Sequence, residues 1–375
     1  MSVIPASPSL SVELEAVARA FALLGRFRGG APYGSGHIND TFAITMDQAG
    51  TPVRYILQRI NHRIFRDVPA LMDNIRRVTA HATRRAGEAG GEDAARRTLT
   101  LVLAGDGQPC HRDPAGGWWR CYLFIEKART HDIIEHPRQA AEAARAFGEF
   151  QKLLVDLPGA RLHETIPDFH HTRRRFETLL KAVAADPCHR MAGVAAEIGF
   201  VRQREAWVDR LIEQQRRGDI PERITHNDTK LNNVMMDEVT QTGICVIDLD
   251  TVMPGLALYD FGDMVRSATN SAPEDERDVT RVHARLPIFE ALVEGYLAAA
   301  RPFLTPAEIA HLVFSGRLIT LEIGIRFLTD YLEGDVYFKT KRPGQNLDRA
   351  RTQFALLRSM EDRESEMEAI VRKYA

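Results

Sequence analysis

The spacing of apolar residues changes once along the chain, near residue 126, and that change limits the fold to two unlike parts. Before it, apolar residues fall in short alternating runs at 41–45, 53–60, 98–103 and 118–125, separated by glycine, proline and aspartate, which predicts strands joined by hairpins. A short helix at 12–24 ends on Gly25, and the glycine-bearing segment 29–36 reads as a flexible approach to the first hairpin. Segment 66–80 fits another helix, whereas the Ala, Gly, Arg and Glu of 84–96 fit either helix or loose chain. After residue 126 the apolar repeat lengthens to helical spacing at 139–157, 173–184, 200–216, 282–300, 306–331 and 346–373. One apolar strand, 244–249, is embedded in that part. The expectation is an α+β chain with a small antiparallel β-rich lobe over 1–126 and a larger, mainly helical lobe over 127–375.

Charge narrows the function classes. The 375 residues carry 49 Lys and Arg against 51 Asp and Glu, a net charge of −2, so neither sign drives general attraction to nucleic acid or to a membrane surface. The short basic runs at 84–97 and 173–176 read as solvated faces, poorly interleaved with aromatics. No run approaches the 18 to 20 apolar residues of a membrane span. Cys110, Cys121, Cys188 and Cys245 show no CxxC or CxxH spacing. These features point to a cytoplasmic protein with a small-molecule partner, without nucleic acid or membrane, as a monomer with a homodimer left open. The basic residues of the first part are all arginine; the first lysine is Lys127.

The chemistry-bearing pattern is ITHNDTKLNNVMMD at 224–237, followed by GICVIDLDTVMPGLALYDFGD at 243–263. Asp228 and Asn233 lie five residues apart in a polar loop, and Asp248 and Asp250 stand at the end of the apolar strand. Strand alternation points those last two to opposite sides unless the chain turns there. A hard divalent cation takes carboxylate and carbonyl oxygens plus water, which Asn233 and Asp248 supply, leaving Asp228 free to accept a proton from a substrate hydroxyl. A lone loop aspartate is usually a cap or a solvated charge. The order H-x-D-x-x-x-x-N followed by a strand ending in I-D is a joint pattern, and it matches the layout of kinase catalytic loops. His226 reads as a residue that bonds the loop backbone and holds Asp228, and Asp260 and Asp263 read as helix caps or braces of the loop.

These motifs resemble those of the aminoglycoside phosphotransferase and choline kinase superfamily, which has a protein-kinase-like two-lobed fold. On extension through EIGIRFLTDYLEGDVYFKTKRPGQNLDRARTQ, the sequence resembles the N-acetylhexosamine 1-kinases over nearly its whole length. The resemblance implies an ATP- and Mg2+-dependent kinase that phosphorylates the anomeric hydroxyl of GlcNAc or GalNAc. Asp228 is then the base, Asn233 and Asp248 hold magnesium with Asp250 assisting, and Arg326 and Tyr337 contact the sugar, with His37 near it. Gly34, Ser35, Gly36 and Asn39 would approach the phosphates, and Ile125 and Glu126 would receive adenine. The phosphate-binding lysine of protein kinases is absent: Gln58 takes its place with Arg59 beside it, as in the LQR of the sugar kinases. Only one of that pair can face the cleft. Another amino sugar, an aminoglycoside or a choline-like alcohol is the alternative acceptor, and an inert binding protein on the kinase fold is the non-enzymatic alternative.

Overall fold

The computed structural model describes residues 8–34, 38–88, 90 and 96–375. Its first part contains α1 (Pro8–Ala18), β1 (Arg26–Pro32), β2 (Asp40–Gln48), β3 (Thr51–Ile60), α2 (Val68–Glu88), β4 (Leu101–Val102), β5 (His111–Arg112) and β6 (Trp118–Leu123). The strands form an antiparallel sheet in the order β1-β2-β3-β6-β4, with β5 also on β6. Alternation divides its faces. Leu57, Trp119 and Cys121 pack with Leu14 and Val17 of α1 and with Phe21 just after it, while Ile60 and Tyr122 join the core shared with α2 and the helical part.

Three sequence-based expectations change here. Residues 26–32 form β1 rather than a flexible approach, since glycine permits strand packing where α1 crosses closely. A Cβ on Gly30 would lie 2.8 Å from Ile44 Cγ2 and 2.9 Å from Leu14 Cδ1. The first helix stops at Ala18 because the following chain pairs elsewhere: Ala22 N–H donates to Leu103 O, and Phe21 bridges to Ala104. Helix α2 runs on to Glu88, through the first residues, 84–88, of the segment left open between helix and coil.

The second part contains β7 (Ala128–Arg129), α3 (Pro137–Leu154), α4 (Thr172–Ala185), α5 (Ala195–Arg202), α6 (Arg210–Arg217), β8 (Arg223–Thr225), β9 (Val234–Asp237), β10 (Gly243–Val246), β11 (Met253–Gly255), α7 (Ala257–Thr269), α8 (Leu286–Ala300), α9 (Pro306–Ala310), α10 (Leu312–Glu333), α11 (Gln345–Asp362) and α12 (Glu364–Tyr374). The single embedded strand becomes two small antiparallel sheets, β10-β9-β7 and β11-β8, which bracket the polar motifs. Their strands are too short for periodicity to reveal. The expected helix 200–216 is split into α5 and α6, with Asp209 between them bound to Arg173 at 3.0 Å. The last two long helices are each broken once, at His311 and Arg363.

Helices α3 and α8 approach through glycines. A Cβ on Gly295 would sit 2.0 Å from Ala141 O, and one on Gly148 would sit 2.9 Å from Ala299 Cβ. Helix α3 is thereby held against the core beside the polar loop. Among the described residues no helix is long and apolar enough to cross a membrane. Gly295→Ala is expected to lower stability by about 3 kcal/mol or more, because a backbone carbonyl cannot rotate away. Gly199→Ala, with nothing within 4 Å of its Cβ, is expected to be neutral or slightly stabilising. Denaturant midpoints of the two variants check the contrast.

Candidate active site

The polar loop leaves β8 and is built on one buried carboxylate. Asp260, in the first turn of α7 and fully buried, accepts the backbone N–H of His226 at 2.9 Å and of Asn227 at 2.7 Å, and the Gln151 amide at 2.6 Å. Burial raises its pKa, against the His226 ring and these same hydrogen bonds. Asp263, one turn on, accepts the Thr229 N–H at 2.9 Å, and Thr229 Oγ1 donates to Asp260 O at 2.6 Å. Asn227 takes the left-handed conformation, φ 66°, and its Nδ2 donates to Thr251 O at 2.8 Å. His226 Nε2 lies 2.9 Å from Ile247 O, an acceptor only, so Nε2 carries the proton and Nδ1 accepts the Asp228 N–H at 3.3 Å. Both expectations, of a histidine that holds the loop and of aspartates that brace it, correspond to these bonds.

Asp228 is held from three directions and stays open to the cleft, its side chain 27% exposed. Lys230 Nζ is 2.7 Å from Oδ1, and Asn233 Nδ2 donates to the Asp228 carbonyl at 2.8 Å and to Oδ2 at 3.1 Å. Burial would raise its pKa, but the Lys230 charge and hydrogen bond outweigh that, so the pKa is lowered and the carboxylate stays ionised. Asn233 Oδ1 bonds to no described residue.

The strand-end aspartates are separated by a turn. Asp248 is left-handed, φ 60° and ψ 60°, and the chain enters a 3-10 turn over Leu249–Thr251. Asp248 faces the cleft; desolvation by its walls, then the charges of Asp250 and Asp228, push its pKa up to about 6. Asp250 is buried and committed elsewhere: one oxygen pairs with the Arg120 guanidinium, the other accepts Asn39 Nδ2 at 2.6 Å. The expectation that Asp250 assists a metal is corrected, since its oxygens tie the sheet to the polar loop instead.

The expected nucleotide residues divide. Gln58 lies on the sheet face away from α1, donating to Thr41 Oγ1 at 3.0 Å and accepting Arg120 Nε at 2.9 Å. Arg59 is corrected: it lies on the outer face and pairs with Asp40 at 2.8 Å. Asn39 is likewise corrected from phosphate binding, because its Nδ2 serves Asp250 and its Oδ1 accepts Asn61 N–H at 2.9 Å. Gly34 bends with φ 81°, and Ser35, Gly36 and His37 lie outside the described residues. Ile125 N–H and C=O bond to no described residue, while Glu126 pairs with Arg54 and its carbonyl accepts Arg96 Nη2 at 2.9 Å.

On the other side of Asp228, Arg326 of α10 lies 5.1 Å from the Phe169 ring, 5.9 Å from Tyr337 and 5.6 Å from Phe338. The sequence offers Arg326 and Tyr337, and the structure brings them together. Asp330 arranges this, accepting the backbone N–H groups of Val336, Tyr337 and Phe338 at 2.9, 2.7 and 3.0 Å. Arg175 adds a second guanidinium. It donates to Phe169 O at 3.1 Å, its buried Nε has no partner, and burial, then the Arg326 charge, lowers its pKa. Neither arginine forms a salt bridge among the described residues, and the nearby acids are occupied: Asp168 by Arg174, Glu322 by His170 and Thr172. His170 joins this pocket to the loop, its Nε2 lying 3.0 Å from Asn227 O.

Among the described residues no group of three or more His, Cys, Asp and Glu side chains forms a protein-only metal site. Asn233 Oδ1 and the Asp248 carboxylate are oxygen donors without partners among the described residues, and the carboxylate is destabilised by desolvation and then by neighbouring negative charge. That donor set fits magnesium, which takes one or two protein ligands and completes its shell with water and phosphate.

A family model described as phosphotransferase enzyme family, APH, matches residues 29–303, most of the chain. The chain belongs to that phosphotransferase family. Solved structures with the same fold include an aminoglycoside phosphotransferase from Alicyclobacillus acidocaldarius, 14% identical, covering 100% of this chain and 98% of that one with a TM-score of 0.61. A choline kinase from Cryptosporidium parvum is 13% identical, covers 96% and 97%, and has a TM-score of 0.56. A microcompartment-associated aminopropanol kinase is 15% identical, covers 95% and 98%, and has a TM-score of 0.56. The expected α+β kinase-like fold and the expected phosphotransferase class both hold.

Residue patterns in this phosphotransferase missed Lys230, Arg120, Arg175, Gln151 and Asp330. Arg120 had a signal, a charge inside the run WWRCYLF. Arg175 was hidden in the run RRR, read as a solvated face. His170 gives a test. Both ring nitrogens face acceptors, so the ring is a cation: burial lowers its pKa, but the Glu322 charge and hydrogen bond outweigh that and raise it. The His170 contribution to stability is therefore fully present below about pH 6.5 and is lost as pH rises through the raised His170 value, while the Glu322 contribution, its pKa lowered, is lost as pH falls. NMR titration is expected to place His170 above the free imidazole value; titration below it would contradict the assignment.

Proposed function

We propose that the protein transfers the γ-phosphoryl group of ATP to the anomeric hydroxyl of an N-acetylhexosamine, GlcNAc or GalNAc, giving the sugar 1-phosphate. Asp228 accepts the hydroxyl proton as the sugar oxygen bonds to phosphorus and the bond to the ADP oxygen breaks. Its depressed pKa keeps it ready as a base, and the amide of Asn233 fixes its orientation. Asn233 Oδ1 and Asp248 hold magnesium, which when bound offsets the phosphate charge. Ile125 offers its free N–H and C=O to adenine. Lys230, beside Asp228 and 45% exposed, adds a cation at the phosphate end of the cleft.

One observation carries the choice of acceptor. The pocket joined to Asp228 through His170 holds two guanidiniums without carboxylate partners, Arg175 and Arg326, against the aromatic rings of Phe169, Tyr337 and Phe338. Such a pocket suits a neutral sugar, whose ring lies against aromatic faces and whose acetamido carbonyl accepts from a guanidinium. It opposes acceptors bearing an ammonium group, because like charge at close range in a partly desolvated site costs several kcal/mol. Choline-like alcohols, aminoglycosides and deacetylated hexosamines are disfavoured on that ground.

The test is a panel of acetylated and free-amine hexosamines, an aminoglycoside and choline, with ATP and magnesium, followed by product identification. GlcNAc or GalNAc is expected to give a monophosphate at the reducing end, labile to acid and stable to alkali, with kcat/KM at least about tenfold above that of the free amines. A 6-phosphate, or turnover of choline at the same rate, would overturn the reading.

A further inference from the structure

We propose that Arg120 is the fixed cation of the nucleotide site, a positioning residue that takes over from one strand away the work of the lysine missing at Gln58. The inference rests on the nucleotide reading above. Protein-kinase-like sites need a fixed positive charge behind the phosphates, usually a lysine on the third strand paired with a helix carboxylate. In this chain both members have moved. Position 58 is a neutral amide, and Arg28, Arg54 and Arg59 of the sheet are exposed and paired with Asp47, Glu126 and Asp40. On the helix side, α2 turns Asn74 toward the helical part, where it donates to His163 O at 2.8 Å and Val252 O at 3.1 Å.

Arg120 stands opposite Gln58 in the β3–β6 register and is 1% exposed. Gln58 Oε1 accepts its Nε at 2.9 Å, and Gln58 is itself fixed by Thr41. Nη1 pairs with Asp250, two residues beyond Asp248 and held as well by Asn39, so the guanidinium is anchored directly behind the cleft carboxylate. Nη2 bonds to no described residue. Tyr122, two residues along β6 on the same face, has a buried hydroxyl without a partner. The spare guanidinium edge, beside Gln58 and anchored on Asp250, suits an oxygen-rich anionic ligand, as a polyphosphate provides.

The test uses full-length protein and calorimetry with MgADP, with KM for MgATP and KM for acceptor measured separately. R120M is expected to raise the MgADP Kd and the MgATP KM by at least about tenfold while acceptor KM stays within a few fold. R120M/Q58K, which returns a cation within reach of Asp250 from β3, is expected to recover most of that loss. Should R120M fail to fold because Asp250 is left uncompensated, the double variant carries the test alone, with binding expected within about tenfold of wild type. Folded R120M that binds MgADP as wild type does, or folded R120M/Q58K that fails to bind it, overturns the proposal. If wild type itself binds no MgADP, the nucleotide reading fails first, which separates the two.

Discussion

The site depends on one buried carboxylate, Asp260, accepting the N–H groups of two successive loop residues. A loop that turns through left-handed Asn227 leaves its amides without helix or sheet partners, and buried amides need acceptors. Asp260 meets that need at His226 and Asn227, Asp263 does so at Thr229, and Gln151 of α3 secures Asp260 in turn. The close contact of α3 with α8 at Gly148 and Gly295 is part of this arrangement, since it seats the helix carrying Gln151. Asp228 inherits a fixed backbone. Its carboxylate then needs only Lys230 and Asn233 to set its charge and direction.

A second carboxylate relates the sheet to this loop. Asp250 receives Arg120 from β6 and Asn39 from the turn before β2, so a C-terminal residue is gripped by two N-terminal donors. The left-handed turn at Asp248 separates the two aspartates in role as well as direction. One faces the cleft with its pKa raised by its neighbours, and the other is buried in an ion pair. Breaking such a buried pair from one side leaves an uncompensated charge, at a cost of about 3–5 kcal/mol.

Much of this was legible in the sequence, and what was not has identifiable causes. The β2–β3 hairpin and helices α3, α4 and α8 follow from apolar period alone, and the order of Asp228, Asn233 and Asp248 marked the polar loop that Asp260 and Asp263 brace. The short strands β8, β9 and β11 were not legible, because three or four residues carry no period. The glycine-rich β1 was misread since its glycines serve close packing under α1 rather than flexibility. Asn39, Arg59 and Asp250 were placed in the site by position along the chain, yet their partners come from 211, 19 and 130 residues away. Contacts of that range are set by tertiary structure. The same holds for Arg175, whose run of arginines conceals one that turns inward.

The proposed reaction uses Asp228 as a base between the nucleotide and a cationic, aromatic acceptor pocket. The most direct test is Asp228→Asn, an isosteric change that keeps the loop's backbone hydrogen bonds, leaves one oxygen to accept from either Lys230 or Asn233, and removes the proton acceptor. It predicts a fall in kcat of about 10²–10⁴ with Kd for MgADP and for N-acetylhexosamine held within a few fold. A kcat within about tenfold of wild type would contradict it.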